Sequence, residues 1–221
     1  MTTIYQEQKK CALCNEISNH TVFGSSNAFG SPDLDTRPPE MARSTIDTWV
    51  QTCPSCGYCA QDISKPLARL SEIVHSDSYQ QQLTNPDFPK LANAFLCSSQ
   101  IQENAGEYAG AGWACIHAAW SCDDAGSDAA AQKCRKKAVS LIPKARENGQ
   151  QFAGQAGAEE ATIVDLLRRS GEFERALQTC DDALKKNPDE VLSAVLRFQK
   201  LLIGKSDVGC HTIVEATGTL K

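Results

Sequence analysis

The sequence predicts a mostly α chain: a small β module stapled by paired cysteines at the front, followed by antiparallel helical hairpins. Three observations carry this reading. Residues 11–14 read CALC and residues 53–56 read CPSC, two C-x-x-C pairs. Strand-like stretches lie before residue 62, and Ala, Leu, Gln and Glu dominate after it, interrupted by Gly and Pro at helical intervals. The segment GEYAGAGWACIHA at 106–118 is echoed by GEFERALQTCDDA at 171–183.

The cysteine pairs come first. A turn between two cysteines, with backbone amides directed at the sulfurs, places both thiolates on neighbouring corners of a tetrahedron. Cys11 and Cys14 fill two corners and Cys53 and Cys56 the other two, with Zn2+ as the expected ion. Gly57 suits the φ > 0 position after the second pair, and Pro54 stiffens that turn. Four thiolates leave no open coordination position, so the expected site is structural and not catalytic. Cys59 lies three residues past Cys56 and can in principle exchange with a ligand, but it reads better as a small apolar packing residue. His20, in the expected strand HTVF, is a further possible ligand that a complete set of thiolates does not need. The 38 residues between Cys14 and Cys53 (15–52) form a longer insert than zinc ribbons commonly carry.

Within that insert, GSPDLDTRPPEMAR (30–43) combines acids, arginines and prolines. Asp33 and Asp35 are two apart, so an extended segment presents both carboxylates on one side. Arg37 is placed to pair with one of them through its planar fork. Two readings stand: a proline-stiffened loop pinned by Asp–Arg pairs, or an exposed loop that recognises a partner or a hard cation. STIDTWVQT (44–52) then alternates, which predicts a strand entering the second cysteine turn with Trp49 covering one face.

From residue 62, breakers at Pro66, 85–89, Gly106, 123–126, Gly149, Gly171, Pro188 and Gly204 divide the chain into seven or eight helices. At an offset of 65, Gly106 aligns with Gly171, Glu107 with Glu172, and Tyr108 with Phe173. Ala111 aligns with Ala176, Cys115 with Cys180, and Ala118 with Ala183. The glycine turns between two antiparallel helices, the aromatic opens the second, and alanines seven apart let the pair approach closely. This pattern resembles the tetratricopeptide repeat (TPR), over roughly 92–125 and 157–190 with a helical stretch at 126–150 between. Pro188 supplies the terminal proline of the second copy, while Cys122 and Asp123 stand at the corresponding place in the first. Cys115 and Cys180 are expected inside. Cys97, Cys122 and Cys134 lie on helices where either burial or exposure is open, the residues leave open whether these three, Cys59 or Cys210 are redox-active, and His117, Trp113 and Trp120 read as packing residues.

The whole arrangement resembles a bacterial family of unknown function, with a paired-cysteine module and an acidic–arginine loop ahead of TPR-like helices. The resemblance is most specific over residues 11–58. It implies zinc binding and an interaction scaffold, with a zinc-ribbon-like module over 1–62 and a TPR-like domain over 63–221.

Composition limits the function. The net charge is −5 with no long run of either sign, which disfavours a binder that works by general phosphate attraction. The chain has no apolar stretch long enough for a bilayer and a polar start, MTTIYQEQKK, so a cytoplasmic location is expected. Eleven cysteines there read as metal ligands and buried small residues. No phosphate loop, H-E-x-x-H or nucleophile–base set is present, so no enzymatic activity is expected. The leading function is a protein-interaction scaffold. Its concave helical face would carry Asn93, Leu96, Gln100, Glu103, Asp165, Arg168 and Arg169, the last two meeting an acidic peptide or a chain carboxylate. The alternatives are nucleic-acid binding through the zinc ribbon, and a metal-dependent reaction at the Asp33/Asp35/Arg37 loop.

Overall fold

In the computed structural model, which describes residues 1–218, two β-hairpins precede nine α-helices. Strands β1 (Thr3–Lys10) and β2 (Ile17–Ser25) form the first hairpin, and β3 (Gln51–Thr52) and β4 (Cys59–Ala60) the second. The helices are α1 (Leu70–Val74), α2 (Asp77–Leu83), α3 (Lys90–Asn104), α4 (Tyr108–Asp124), α5 (Asp128–Glu147), α6 (Ala158–Arg169), α7 (Phe173–Lys185), α8 (Glu190–Gly204) and α9 (Ile213–Thr217). The expected breakers fall at or beside the turns between these helices. Both strand pairs are antiparallel, and HTVF lies in β2, where a strand was expected.

The expected strand over 44–52 is corrected. Arg43–Thr48 forms a 3-10 helix, and only Gln51–Thr52 is strand. Threonine hydroxyls supply the local reason. Thr45 Oγ1 donates to the Ala42 carbonyl at 2.8 Å and Thr48 Oγ1 to the Thr45 carbonyl at 2.7 Å. Such side-chain-to-backbone bonds compete with a strand ladder. Packing supplies the rest: Trp49 Nε1 donates to Thr45 Oγ1 at 3.0 Å, and its ring meets His117 and Trp120 edge-on. The buried residues of the segment include Thr45, Ile46, Thr48, Val50 and Gln51.

Between the long helices, α3–α4, α4–α5 and α6–α7 are each joined by three residues, so each pair runs antiparallel. These turns share one geometry. Gly106, Gly126 and Gly171 take φ of 80°, 66° and 76°. The next amide reaches back to the helix: Glu107 N donates to Gln102 O, Ser127 N to Cys122 O, and Glu172 N to Leu167 O, at 2.8–2.9 Å. This left-handed closure satisfies carbonyls that a helix end leaves free. Tyr108 and Phe173 are the first residues of α4 and α7, and Ala111, Ala118, Ala176 and Ala183 are buried.

A third copy of this spacing escaped the sequence comparison. Gly126 is followed at the same distances by Ala131 and Ala138, both fully buried, in the α4–α5 turn. Asp128 stands there in place of the aromatic, which hides the match. Buried side chains form one continuous cluster from Cys11 through Tyr58, Tyr79, Phe95 and Trp120 to Ile203. The cysteine-bearing hairpins and the helices therefore share a core.

Candidate metal centre

The two cysteine turns are built alike. In the first, Cys11 N donates to Glu16 O at 2.8 Å and Asn15 N to Cys11 O at 3.0 Å. In the second, Cys53 N donates to Tyr58 O at 2.8 Å and Gly57 N to Cys53 O at 3.0 Å. Each loop turns on a left-handed residue just past its second cysteine: Asn15 at φ 63° and Gly57 at φ 76°. Asparagine tolerates that conformation better than most residues with a side chain. Asn15 is thus the counterpart of Gly57, a signal the sequence contained and the spacing search passed over.

Facing each other, the turns bring all four sulfurs within 4.8 Å of one another. Cys11 Sγ lies 3.7 Å from Cys56 Sγ, and Cys14 Sγ lies 3.5 Å from Cys53 Sγ. A regular tetrahedron with metal–sulfur bonds of about 2.3 Å has edges of about 3.8 Å, so the donor set fits a tetrahedrally bound ion. Leu13 N points at Cys11 Sγ from 3.4 Å. The Glu16 amide, with help from the neighbouring thiols, lowers the Cys14 thiol to about 7. Burial pushes Cys53 and Cys56 up, so a cation would have to hold these thiols deprotonated in exchange for their hydration. Among the described residues this is the one cluster of three or more His, Cys, Asp or Glu side chains suited to a metal ion. His20 stands outside it and shares a 2.8 Å hydrogen bond with Ser18.

The shell around the turns comes from residues further along. Ala12 N donates to Ile63 O at 2.8 Å, which ties the first turn to the segment after β4. Tyr79, fully buried, donates its hydroxyl to Gly57 O at 2.9 Å and accepts from Cys59 N at 3.0 Å. Tyr58 donates to Lys65 O at 2.7 Å. Cys59 is fully buried and outside the sulfur cluster, where the sequence reading placed it as a packing residue.

Asp33, Asp35, Arg37, Arg168 and Arg169 lie elsewhere, and the structure brings them together. All five are buried. Asp33–Thr36 make a tight turn, with Thr36 N on Asp33 O and Asp33 N on Arg37 O, both at 2.9 Å, and Thr36 at φ 68°. The extended loop expected from the two-residue spacing is replaced by this turn. The expected Arg37 pairing with Asp33 or Asp35 is corrected as well. The Arg37 guanidinium goes to Asp124, while only its backbone amide reaches Asp35, at 3.3 Å. Asp33 is paired with Arg43, and Cys210 donates to the same carboxylate at 3.2 Å.

Asp35 accepts from Trp120 Nε1 at 2.8 Å and from Arg169 Nη1 at 3.2 Å. Arg169 also donates to Asp123 at 2.9 Å, a carboxylate shared with the buried Arg135. Arg168, with no exposed surface, donates to Asp165 at 2.7 Å and to the Asp207 and Gly209 carbonyls at 2.7 and 2.9 Å. Burial raises the Asp165 carboxyl, and Arg168 works against that rise. Neither Arg168 nor Arg169 is presented to solvent. Asn93 and Leu96, expected on an open concave face, are buried too.

No helix of the described residues is long and apolar enough to cross a membrane. Compared with known proteins, the chain matches no family model, no curated protein and no solved structure.

Proposed function

We propose that this chain is a zinc-stapled, non-enzymatic interaction scaffold: a zinc-ribbon-like module that fixes a TPR-like stack of helical hairpins. The observation that carries the proposal is the fit of four cysteine sulfurs, from two equivalent turns, to a tetrahedral ion. Zinc suits a closed four-thiolate site, and such a site contributes folding energy and leaves no position for substrate. Eleven cysteines, four of them gathered in one cluster, suit a reducing compartment such as the cytoplasm.

Three repeats of the Gly-turn and the two buried alanines support the TPR-like reading of the helices. Stacked hairpins of this kind serve as recognition surfaces in repeat proteins. The non-enzymatic reading is supported by the state of Asp33 and Asp35. Both carboxylates are engaged by arginine, Trp120 or Cys210, so they form an ion-paired core and not an open cation site. Elemental analysis of purified chain, with Cys56→Ser alongside, tests the zinc assignment. The account expects about one zinc per wild-type chain and a lower metal content in the variant.

A further inference from the structure

The two hairpins and α3 leave a cleft of about 660 Å³ between them, within the size range of small-molecule sites. Val22, Phe23, Trp49 and Leu67 give it apolar walls. Gln51 of β3 and Ser98 of α3, each 6% exposed, line it with polar groups. Gln51 Oε1 accepts from Ile63 N at 3.1 Å. Its Nε2 has no hydrogen-bond partner among the described residues, yet it is not one of the sealed, partnerless atoms of the interior, so it opens on the cleft. Ser98 Oγ accepts from Gln102 Nε2 at 3.1 Å, which leaves its O–H as a donor without a protein acceptor. Room for the Gln102 side chain comes from Gly110 in the first turn of α4, where a Cβ would stand 2.0 Å from Gln102 Oε1. Two donors on residues more than nine-tenths buried, both lining one cleft and unpaired by the protein, call for an acceptor from outside.

Charge narrows the class of ligand. Around the cleft, Lys9 and Lys65 are balanced by Asp62 and Glu107, and Lys9 is already held by Glu7 at 3.1 Å and Asp62 at 3.7 Å. No surplus of either sign is left to receive an ion, and placing one between apolar walls costs its hydration. We propose that this cleft binds a small uncharged ligand with an apolar body and a carbonyl acceptor, an amide being the simplest case. Gln51 Nε2 and the Ser98 hydroxyl donate to its acceptor atoms, and the apolar walls enclose its body. A ligand held there touches β2, β3 and α3 at once, and so ties the cysteine-bearing hairpins to the helices. The site goes beyond the scaffold reading and does not depend on which ion the cysteines hold.

Benzamide, benzoate and benzylammonium share a ring and differ in charge, which makes them the probes. Heteronuclear NMR of the isotope-labelled full chain follows the Gln51 side-chain amide and the Trp49 indole N–H through each titration. Benzamide should shift both signals saturably, with benzoate and benzylammonium binding at least about 10-fold more weakly. Ser98→Ala removes one donor and should weaken benzamide about 5-fold. Gln51→Glu keeps the acceptor that Ile63 uses, replaces the free donor by an acceptor, and should weaken benzamide further. The amide spectrum away from the cleft reports folding of each variant, and if Gln51→Glu does not fold, Ser98→Ala decides. Absence of a saturable shift at Gln51 and Trp49 overturns the site. Equal binding of the three probes, or undiminished benzamide binding by the folded Ser98→Ala chain, overturns recognition of an uncharged carbonyl by these donors.

Discussion

Arg169 Nη1 stands 3.2 Å from Asp35 Oδ2, a contact between side chains 134 positions apart in the chain. It joins the insert between the cysteine pairs to the last turn of α6, with both groups shielded from solvent. A buried ion pair is weak evidence of net stability, but removing one partner strands the other charge at about 3–5 kcal/mol. Asp35→Ala should lower unfolding free energy by that order, and Arg169→Ala by a similar amount. The double variant should cost clearly less than the sum. Urea denaturation of the four chains gives the coupling directly, and additive losses would remove the pairing from the account.

The cysteine turns make a second prediction. A Cβ on Gly57 would stand 2.5 Å from Leu83 Cδ2, and the residue already needs φ 76°. Gly57→Ala should therefore cost about 1–3 kcal/mol and weaken metal retention. Asn15 holds the same conformation in the first turn, so Asn15→Gly should be nearly neutral there and Asn15→Val costly. Thermal melts with zinc-release measurements separate these outcomes.

His117 provides a pH dependence. It packs against Trp49, Trp113, Trp120 and Phe95, and burial lowers it to about 4, with Asp35 acting in the opposite direction. An ordinary histidine titrates near 6.5, so between about 4 and 6.5 the unfolded chain binds more protons than the folded one. The stability from neutral His117 is fully present above about 6.5 and is lost as pH falls towards about 4. Its size is about 3 kcal/mol. Comparing His117→Phe with wild type by denaturation across that window isolates the effect. The wild-type stability should fall more steeply towards acid than that of the variant.

At the helix turns, a Cβ on Gly126 or Gly171 meets nothing within 4 Å, yet both residues take positive φ. Alanine at either position should cost about 1 kcal/mol, a purely backbone effect. Gly112, by contrast, lies in helical backbone against Phe152, with a Cβ contact of 3.0 Å, so alanine there loses stability by crowding.

Much of this was legible in the residues because it rests on local rules. C-x-x-C twice gives two turns, Gly106 and Gly171 give helix closures, and the helical composition after residue 62 gives hairpins. The strand expected at 44–52 was not delivered because threonine hydroxyls and the Trp49–Trp120 contact outweigh alternation. Asp33, Asp35, Arg37, Arg168 and Arg169 were each singled out, but nothing in their spacing foretold that they share one interior. Ion pairs between residues far apart in sequence leave no periodic trace. Asn15 and the third glycine–alanine copy at Gly126 were readable in principle. A left-handed asparagine and a missing aromatic concealed them.

The central claim is that Cys11, Cys14, Cys53 and Cys56 hold one ion that staples the fold. Native mass spectrometry of the reduced, undamaged chain, with thiol counting before and after chelation, tests it most directly. The account predicts one bound zinc and four thiols that become reactive only when the zinc is removed, with Cys14→Ser abolishing the bound mass. A metal-free mass for the folded wild type, with those four thiols reactive from the outset, would contradict it.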